Sequence, residues 1–255
     1  MEINLLKKLA AEKAVEEIRS GMVLGLGSGS TMQFALERLG EKLNNGDLTN
    51  IIGIPSSENT EREASRLGIP LTTLNDRFKV QNIELRNEHS YMPHLKLDSN
   101  SKTVCIDLAI DGADEADENM NLIKGGGGAL LREKVVAQAS KRLIIILDET
   151  KISKFLGEKF FIPVEVLQYA QEVEENFLRS IGAKTTVRKN SDGKTYITDE
   201  GNIIIDANFG MIREPEKLSR LLEQRAGIVE HGIFSSELVE KIFCAYKDGI
   251  KIIER

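Results

Sequence analysis

Short apolar segments alternate with helical patterns through the first 75 residues of the chain. Strands are predicted at Met22–Leu26, Ile51–Ile54 and Ile69–Thr73, where the apolar runs are short. Helices are predicted between them, from about residue 30 to residue 43 and at Ser57–Leu67. Because strands that alternate with helices are typical of parallel βαβ units, this part of the chain predicts an α/β fold.

The alternation resumes near residue 104 and changes its order near residue 160. Strands predicted at Val104–Ile110 and Leu143–Leu147 lie on either side of a helix at 129–140. From about Phe160, the order strand–helix–strand occurs twice, which is the split βαβ or ferredoxin-like order. The segment 241–253 predicts a hairpin that rejoins the first domain.

These patterns predict two domains of different architecture. A Rossmann-like α/β main domain with a parallel sheet is predicted at 1–158 and 235–255, and a ferredoxin-like (split βαβ) α+β domain is inserted at 159–234. The polar segment Lys79–Lys102 contains Pro93 and has no sustained period, so it predicts a surface excursion. A chain of 255 residues is long enough for this arrangement.

The composition is that of a soluble globular protein, with 41% hydrophobic and 29% charged residues. The 34 basic and 40 acidic residues give a net charge of −6, which argues against nucleic acid as the main partner. The apolar stretches are well short of the roughly 18 residues that span a membrane. Residues 3–19 predict a lysine-bearing amphipathic helix rather than a secretory signal, so we expect a cytoplasmic protein without a membrane partner.

The cysteines and histidines do not favour a metal site. Cys105 and Cys244 lie in apolar, strand-like runs, which is typical of buried thiols in a reducing compartment. His89 and His94 are five residues apart in a polar segment without a nearby cysteine. We therefore expect the protein to hold no metal at these residues.

A loop rich in glycine and hydroxyl side chains, Gly25–Thr31 (GLGSGST), follows the first predicted strand and precedes a helix. Backbone N–H groups at a helix N-terminus bind anions, and Ser28, Ser30 and Thr31 add hydroxyl donors. The loop lacks the lysine of a P-loop, and Ser30 stands where a dinucleotide fingerprint needs glycine. The pattern indicates a phosphate or carboxylate site without a nucleotide. A simple helix N-cap with a glycine turn would show the same sequence pattern.

A second cluster of polar residues follows the strand that ends near Ile110. Asp111, Asp114 and Glu115 come first, and Lys124 then precedes the run Gly125–Gly128. Each glycine costs roughly 0.5–1 kcal/mol in backbone entropy relative to alanine, so an ordinary turn would not use four. Such a run indicates a backbone whose N–H groups approach a ligand closely.

The helix at 129–140 carries a carboxylate on its apolar side. On a 3.6-residue wheel, Glu133 falls among Leu130, Val136 and Ala137. Desolvation of a carboxylate is one way in which proteins prepare a general base. A solvated glutamate at the edge of the apolar stripe is the alternative that the wheel leaves open.

Other interpretations of these polar residues also exist. Asp111 and Asp114 would suit a divalent cation, but the neighbouring Lys124 would oppose one. Lys124 and Lys151 would also be unremarkable as solvated surface lysines. We assign no chemistry to three acidic residues that we expect to be solvated: Glu115, Asp117 and Glu118.

Three segments occur in the same order and context as in type A ribose-5-phosphate isomerases: Gly25–Thr31 (GLGSGST), Asp111–Glu115 (DGADE) and Leu122–Lys134 (LIKGGGGALLREK). Asp148–Lys151 (DETK) and Ile162–Val166 (IPVEV) also match. The combination of DGADE with KGGGG and REK is highly specific, and the similarity runs over nearly the whole chain. The chain therefore resembles that family.

Two departures from the family pattern are visible. The excursion Lys79–Lys102 is longer than the usual link at that point, and Ser28 replaces a common threonine but keeps the hydroxyl. The resemblance implies interconversion of D-ribose 5-phosphate and D-ribulose 5-phosphate through a cis-enediolate, in the non-oxidative branch of the pentose phosphate pathway. It also implies a homodimer or homotetramer that uses no cofactor and no metal.

The resemblance assigns a role to each candidate residue. It implies that Glu133 is the catalytic base, that Lys124 stabilises the enediolate oxygen, and that Asp111 assists ring opening. Lys7 is a weaker phosphate candidate. The implied substrate-binding residues are Ser28, Gly29, Ser30, Thr31, Asp111, Gly112, Ala113, Asp114, Lys124, Gly125, Gly126, Gly127 and Lys151.

Two functions from other classes are alternatives. A non-catalytic sugar-phosphate sensor on the same fold would keep the phosphate loop but would not need Glu133 or Lys124, and both residues are present. It would also need a DNA-binding module, and no helix-turn-helix pattern precedes the domain. A sugar-phosphate deaminase or acyl-transfer enzyme would be expected to show different acid and base motifs.

Overall fold

The structure is a computed structural model that describes residues 2–77 and 105–254. The predicted excursion Lys79–Lys102, including His89 and His94, lies outside the described residues. Within the described part of the chain, every helix is too short or too polar to cross a membrane.

The strands, in chain order, are β1 (Val23–Leu26), β2 (Ile52–Pro55), β3 (Leu108–Gly112), β4 (Glu115–Ala116), β5 (Leu122–Ile123), β6 (Leu143–Asp148), β7 (Ile162–Val166), β8 (Lys184–Val187), β9 (Ile203–Asn208), β10 (Ile228–His231), β11 (Ile233–Phe234), β12 (Lys241–Tyr246) and β13 (Gly249–Glu254). The α-helices are α1 (Ile3–Val15), α2 (Ser30–Asn44), α3 (Glu58–Arg66), α4 (Leu74–Arg77), α5 (Leu130–Gln138), α6 (Gln171–Ser180) and α7 (Pro215–Glu223). Short 3-10 helices occur at Glu149–Lys151, Gln168–Ala170 and Ser236–Leu238.

The main sheet has six strands in the order β13-β12-β6-β3-β1-β2. Neighbouring strands are parallel from β12 to β2, and β13 returns antiparallel to β12 as the predicted C-terminal hairpin. Side chains of β6 alternate between two cores, since Ile144 and Ile146 pack with α1 and α2 whereas Ile145 and Leu147 pack with α5. Burial on both faces explains why β6 is a continuous hydrophobic run.

Glycine at position 25 allows helix α5 to pack closely against the main sheet. A Cβ atom added to Gly25 would lie 2.6 Å from Val136 Cγ1 and 2.8 Å from Ala109 Cβ. Any larger residue at position 25 would therefore push α5 away from the sheet. This packing fixes the distance between α5, which carries Glu133, and the loops that follow β1 and β3.

The second sheet has the antiparallel order β10-β7-β9-β8, with α6 and α7 as the crossing helices. This is the strand order of the ferredoxin-like arrangement that the sequence predicts. Its core is built from Val164, Leu178, Ile205 and Leu222, which are all fully or almost fully buried. The domain limits at 158/159 and 234/235 remain a prediction.

A third sheet, β11-β5-β4, was not anticipated from the sequence. Strands of two residues are too short to show periodicity. The extended segment 228–234 is divided at Gly232 into β10 and β11. A Cβ at Gly232 would lie 2.3 Å from the Lys124 carbonyl oxygen, and the Lys124 N–H donates to Gly232 O at 2.9 Å. The small sheet thereby fixes the backbone of Lys124.

The prediction of a strand at Ile69–Thr73 is wrong. Only an isolated parallel bridge between Gly53 and Leu71 forms there. Pro70 has no N–H to donate to a ladder, although its carbonyl accepts from Gly53 N at 2.8 Å. The segment therefore lies beside β2 without extending the sheet.

Candidate active site

A cleft opens at the carboxyl ends of β1 and β3, where parallel α/β sheets commonly bind ligands. The loops after these two strands, the glycine run, α5 and the turn that carries Lys151 form its walls. It is lined by Lys7, Ser28, Gly29, Ser30, Thr31, Gly112, Ala113, Asp114, Lys124, Gly125, Gly126, Gly127, Glu133 and Lys151. The structure thus brings the predicted site residues together, with Asp111 buried beside the cleft against Lys124. Their roles remain a prediction.

Lys124 lies between two carboxylates at the base of the cleft. Its Nζ is 2.9 Å from Asp111 Oδ2 and 3.2 Å from Glu133 Oε2, and it donates to Gly112 O at 2.6 Å. All three charged side chains are at most 6% exposed. The alternatives in which Glu133 or Lys124 is solvated are therefore excluded.

The charges of this cluster do not balance, because one ammonium group faces two carboxylates. Burial raises the pKa of Asp111 to about 7; Lys124 opposes this shift, and the negative charge of Glu133 adds to it. Burial disfavours the charge of Lys124, but Asp111 and Glu133 outweigh it and hold the pKa of the lysine above its usual value. The lysine is therefore charged at neutral pH.

Ser28 connects the loop after β1 to both carboxylates. Its backbone N–H donates to Asp111 Oδ1 at 3.0 Å, and its hydroxyl donates to Glu133 Oε1. The Gly112 N–H also donates to Asp111 Oδ1, at 2.7 Å. Glu133 Oε2 accepts no hydrogen bond from any residue that the structure describes, so only the nearby Lys124 charge compensates it. That oxygen is therefore left without a hydrogen-bond donor at the base of the cleft.

The loop after β1 ends at the N-terminus of α2. Gly29 adopts φ +91°, a conformation that favours glycine, and α2 begins at Ser30 without a capping side chain among the described residues. Lys7 from α1 donates to Ser30 Oγ at 2.9 Å. A helix N-terminus with a neighbouring lysine suits an anion, so this end of the cleft is the candidate phosphate site.

Asp114 lines the cleft and contacts the glycine run. Its Oδ2 accepts a hydrogen bond from Gly126 N at 2.7 Å, and a Cβ at Gly126 would lie only 2.6 Å from Asp114 Oδ1. Burial raises the pKa of Asp114. Glycine at 126 is therefore required by this close approach, as the run of four glycines suggested.

Lys151 reaches the cleft from a short 3-10 helix, Glu149–Lys151, that follows β6. The turn is capped by Asp148, whose Oδ1 accepts a hydrogen bond from Thr150 N at 3.0 Å. The cap explains the aspartate, Asp148, of DETK and gives Lys151 a defined position. A cation-binding role for Asp111 is opposed by its contact with Lys124, and the described residues contain no cluster of three metal-ligating side chains.

Two acidic residues expected to be solvated are buried instead. Glu115 accepts backbone hydrogen bonds of 2.9–3.2 Å from residues 157–160 and is fully buried. Asp117 accepts from Asn119 N at 2.9 Å and from Asn121 N at 2.8 Å. The D-x-N spacing of an Asx turn was a usable signal for Asp117, whereas the partners of Glu115 are about 40 residues away. Glu118 is exposed, as predicted.

Sequence reasoning also missed residues of the second sheet that reach the glycine run. Arg188, directly after β8, contacts the carbonyls of Gly125 and Gly126, each at 3.0 Å. The Tyr196 hydroxyl donates to Gly127 O at 3.3 Å. Both residues are more than 60 positions from the glycines in sequence, so local patterns carry no signal for them.

The sequence model of the family described as ribose 5-phosphate isomerase A (phosphoriboisomerase A) matches residues 52–249. The chain belongs to this family. Ribose-5-phosphate isomerase A from Desulfatibacillum aliphaticivorans is 50% identical over 97% of this chain and 96% of that protein. The enzyme of the same name from Chloroflexus aurantiacus is 42% identical over 96% of this chain and 91% of that protein.

A solved D-ribose-5-phosphate isomerase in complex with phospho-erythronic acid has the same fold as this family member. The two structures superpose with a TM-score of 0.87 at 34% identity, over 100% of both chains. The predicted α/β fold and the resemblance to type A isomerases are thereby confirmed.

Proposed function

We propose that this isomerase family member interconverts D-ribose 5-phosphate and D-ribulose 5-phosphate, in the non-oxidative branch of the pentose phosphate pathway. The observation that carries the proposal is the buried contact of Lys124 with Glu133 and Asp111 in a cleft that ends at a helix N-terminus. An aldose–ketose isomerase needs these parts: a base, a cation beside the developing oxyanion, and a phosphate site.

The phosphate group binds at the N-terminus of α2. Gly29, Ser30 and Thr31 supply N–H and hydroxyl donors there, with Lys7 beside them, while Ser28 lines the cleft with its own donors bonded to Asp111 and Glu133. Lys151, which also lines the cleft, contacts the substrate from the turn after β6. Asp111 and Asp114 hold sugar hydroxyls and assist the opening of the ring. Asp111 suits this proton transfer because its raised pKa, about 7, lies near neutral pH.

Glu133 removes the proton from C2 of the open-chain aldose. The electron pair of the C–H bond forms the C1–C2 double bond, and the carbonyl electrons move onto O1, which gives the cis-enediolate. Glu133 returns the proton to C1 while a proton passes from O2 to O1, so the ketose forms with no net change in protons. A positioned base contributes roughly 10²–10⁴-fold to the rate.

Lys124 and the Gly127 N–H of the glycine run stabilise the enediolate oxygen. Each preorganised donor of this kind is typically worth about 10²–10³ in rate. No step requires a cofactor or a metal ion. The sensor alternative is not favoured, because a protein that only binds the sugar phosphate has no use for a buried carboxylate–lysine pair beside its ligand.

The substrate class is tested by comparing D-ribose 5-phosphate with unphosphorylated D-ribose as substrates. We expect ketose formation from the phosphate ester and a rate lower by several orders of magnitude from the free sugar. Equal rates would contradict the phosphate site. Release of ammonia from an amino sugar phosphate, or dependence on coenzyme A, would indicate the deaminase or acyl-transfer alternative.

The homodimer or homotetramer and the cytoplasmic location also belong to this proposal. Exposed apolar side chains around α6 support self-association, since Leu167, Tyr169 and Val173 are 41%, 100% and 59% exposed. Light scattering coupled to size-exclusion chromatography distinguishes a monomer, a dimer and a tetramer. The use of only two cysteines in 255 residues fits a reducing compartment.

A further inference from the structure

We infer that Arg188 is a positioning residue for this active site, which fixes two peptide groups of the glycine run so that one N–H holds Asp114 and the other is available to the substrate. The inference rests on the proposed function. Arg188 lies directly after β8 in the second sheet, outside the loops that carry the candidate catalytic side chains. It does not line the cleft, so its effect on the reaction is exerted through Gly125–Gly127.

The guanidinium group connects two consecutive carbonyl groups. Arg188 Nη1 donates to Gly125 O and to Gly126 O, both at 3.0 Å. Gly125 O also accepts from Gly128 N at 2.9 Å, which closes the turn, whereas Gly126 O has Arg188 as its donor among the described residues. Arg188 is therefore the group that determines which way the Gly126–Gly127 peptide faces.

The guanidinium itself has little freedom to move. Asp206 on β9 binds it in a fork, with Arg188 Nε at 3.0 Å from Oδ2 and Nη2 bonded to Oδ1. The two side chains are 11% and 15% exposed, and the ring of Phe161 lies 5.8 Å from the guanidinium carbon. The Arg188 backbone is held by its N–H bond to Ile204 O at 2.8 Å. A bidentate pair in this setting is a rigid support.

A glycine run needs such a support more than other loops do. Glycine has access to conformations on both sides of φ 0°, so peptides between glycines rotate at little cost. In a trans peptide the C=O and the following N–H point in opposite directions. By holding Gly125 O and Gly126 O, Arg188 directs the N–H groups of Gly126 and Gly127 to the other side.

Those two N–H groups face the site chemistry. The Gly126 N–H donates to Asp114 Oδ2 at 2.7 Å. Gly127 lines the cleft, and no described residue accepts a hydrogen bond from its N–H. This group is therefore available as a donor to a substrate oxygen. If the peptide rotated, a carbonyl dipole would face the enediolate and destabilise it.

The test compares Arg188→Lys with a matched control, Arg225→Lys. Lysine keeps the charge but cannot bind two carbonyls and Asp206 at once. Arg225 belongs to the same part of the molecule and is also forked to a carboxylate, Glu174 (2.8 and 3.2 Å), over the Phe177 ring. It makes no contact with the cleft lining that the structure describes. Thermal unfolding is measured for both variants to compare their folding.

We expect Arg188→Lys to lower kcat by about 10- to 100-fold with KM changed by less than about threefold, because misplaced donors affect the transition state most. Inhibition by inorganic phosphate should be unchanged. Arg225→Lys should keep kcat within about twofold of the unmodified enzyme. Equal kcat in all three proteins, or an equal loss in both variants, would overturn the inference.

A second variant covers the case in which Arg188→Lys fails to fold. Asp206→Asn leaves the guanidinium on its carbonyls but loosens its support, and it should lower kcat by an intermediate factor of about 3 to 10.

If the unmodified protein does not isomerise the sugar phosphate, the proposed function fails separately. Binding of phospho-erythronic acid then decides: a Kd raised at least fivefold in Arg188→Lys alone supports the positioning role, and equal Kd values contradict it.

Discussion

Lys124 Nζ lies 3.2 Å from Glu133 Oε2, with both side chains removed from solvent. Glu133 comes from the apolar side of α5, and Lys124 comes from the backbone that β5 and β11 hold in place. A buried base beside a buried cation suits a reaction in which a proton leaves carbon and negative charge appears on a neighbouring oxygen. The same pair makes the site costly to disturb, because each charge compensates the other.

Glu133→Gln should abolish most of the turnover while the substrate still binds. The amide keeps the shape and the contact with Ser28 but cannot accept the C2 proton. We expect kcat to fall by about 10²–10⁴-fold with KM within a few-fold. Steady-state kinetics and calorimetric binding of the substrate check this. Near-normal turnover would show that another group is the base.

Lys124→Met should impair both activity and stability. Loss of the cation leaves Asp111 and Glu133 buried without compensation, and removal of one partner of a buried pair typically costs about 3–5 kcal/mol of unfolding free energy. We expect kcat to fall by about 10²–10³-fold. Lys154→Met is the control. Lys124 Nζ lies 5.4 Å from the centroid of the Phe234 ring, and Lys154 Nζ lies 5.5 Å from that of Phe155, but Lys154 is exposed.

The stability loss in Lys124→Met should depend on pH in a defined direction. The folded-state pKa of Asp111, about 7, already exceeds its ordinary value of 3.8, and loss of Lys124 raises it further. The folded state then binds more protons than the unfolded state, so stability decreases as pH rises from about 4. Because Asp111 is protonated in both folded proteins well below pH 7, urea unfolding should show the deficit shrinking as the pH is lowered towards 7 from above, with little further change from this group below pH 7. A deficit that grows at low pH would contradict the charge assignment.

Glu115→Gln should destabilise the protein although Glu115 is not assigned a chemical role. Its carboxylate accepts hydrogen bonds from Gly157 N at 2.9 Å and Phe160 N at 3.1 Å, at the predicted boundary between the two domains. Glutamine cannot accept all of these bonds, so we expect a loss of about 1–3 kcal/mol. The exposed neighbour Glu118 supplies the control, and Glu118→Gln should stay within about 0.5 kcal/mol. Thermal or urea unfolding distinguishes the two outcomes.

His231 should make the protein sensitive to acid. Burial, and then the charge of Lys134, lower the pKa of His231 to about 3. The folded state therefore keeps it neutral, while the unfolded state binds a proton below pH 6.5. The contribution of neutral His231 to the free energy of unfolding is complete above pH 6.5. It is lost at about 1.4 kcal/mol per pH unit as the pH falls towards 3.

The variant His231→Asn tests this linkage, because its amide oxygen replaces the Nδ1 acceptor of the Ile233 N–H. Other titrating groups are shared by the two proteins and cancel in the comparison. The difference in unfolding free energy between them should change with pH below 6.5 with the stated slope. A difference that is constant between pH 7.5 and 5 would show that His231 is not a buried neutral group.

The sequence predicted those features that depend on neighbouring residues in the chain. The hydrophobic run at Leu143–Leu147 predicted the strand that forms as β6, and the wheel of α5 placed Glu133 among apolar residues, although it left a solvated side chain open. DGADE and KGGGG lie within 18 residues of each other, so one pair of loops brings most of the site together. The order of elements after residue 160 was also sufficient for the ferredoxin-like sheet.

Features that depend on distant partners were not predictable in this way. Glu115 looks like a solvated acid until residues 157–160 fold over it. Arg188 looks like one of many surface cations until β8 brings it to the glycine run. Ile69–Thr73 has the composition of a strand, but Pro70 and its lack of an N–H prevent a regular ladder.

The most direct test follows D-ribose 5-phosphate by NMR in D₂O, with the purified protein and a chelator. We expect ribulose 5-phosphate with deuterium at C1 wherever the transferred proton exchanges with solvent on Glu133, and a much slower reaction with Glu133→Gln. Formation of product only when a divalent metal is restored would contradict the metal-free mechanism. A substrate that binds but stays unchanged would show that this cleft is not an isomerase active site.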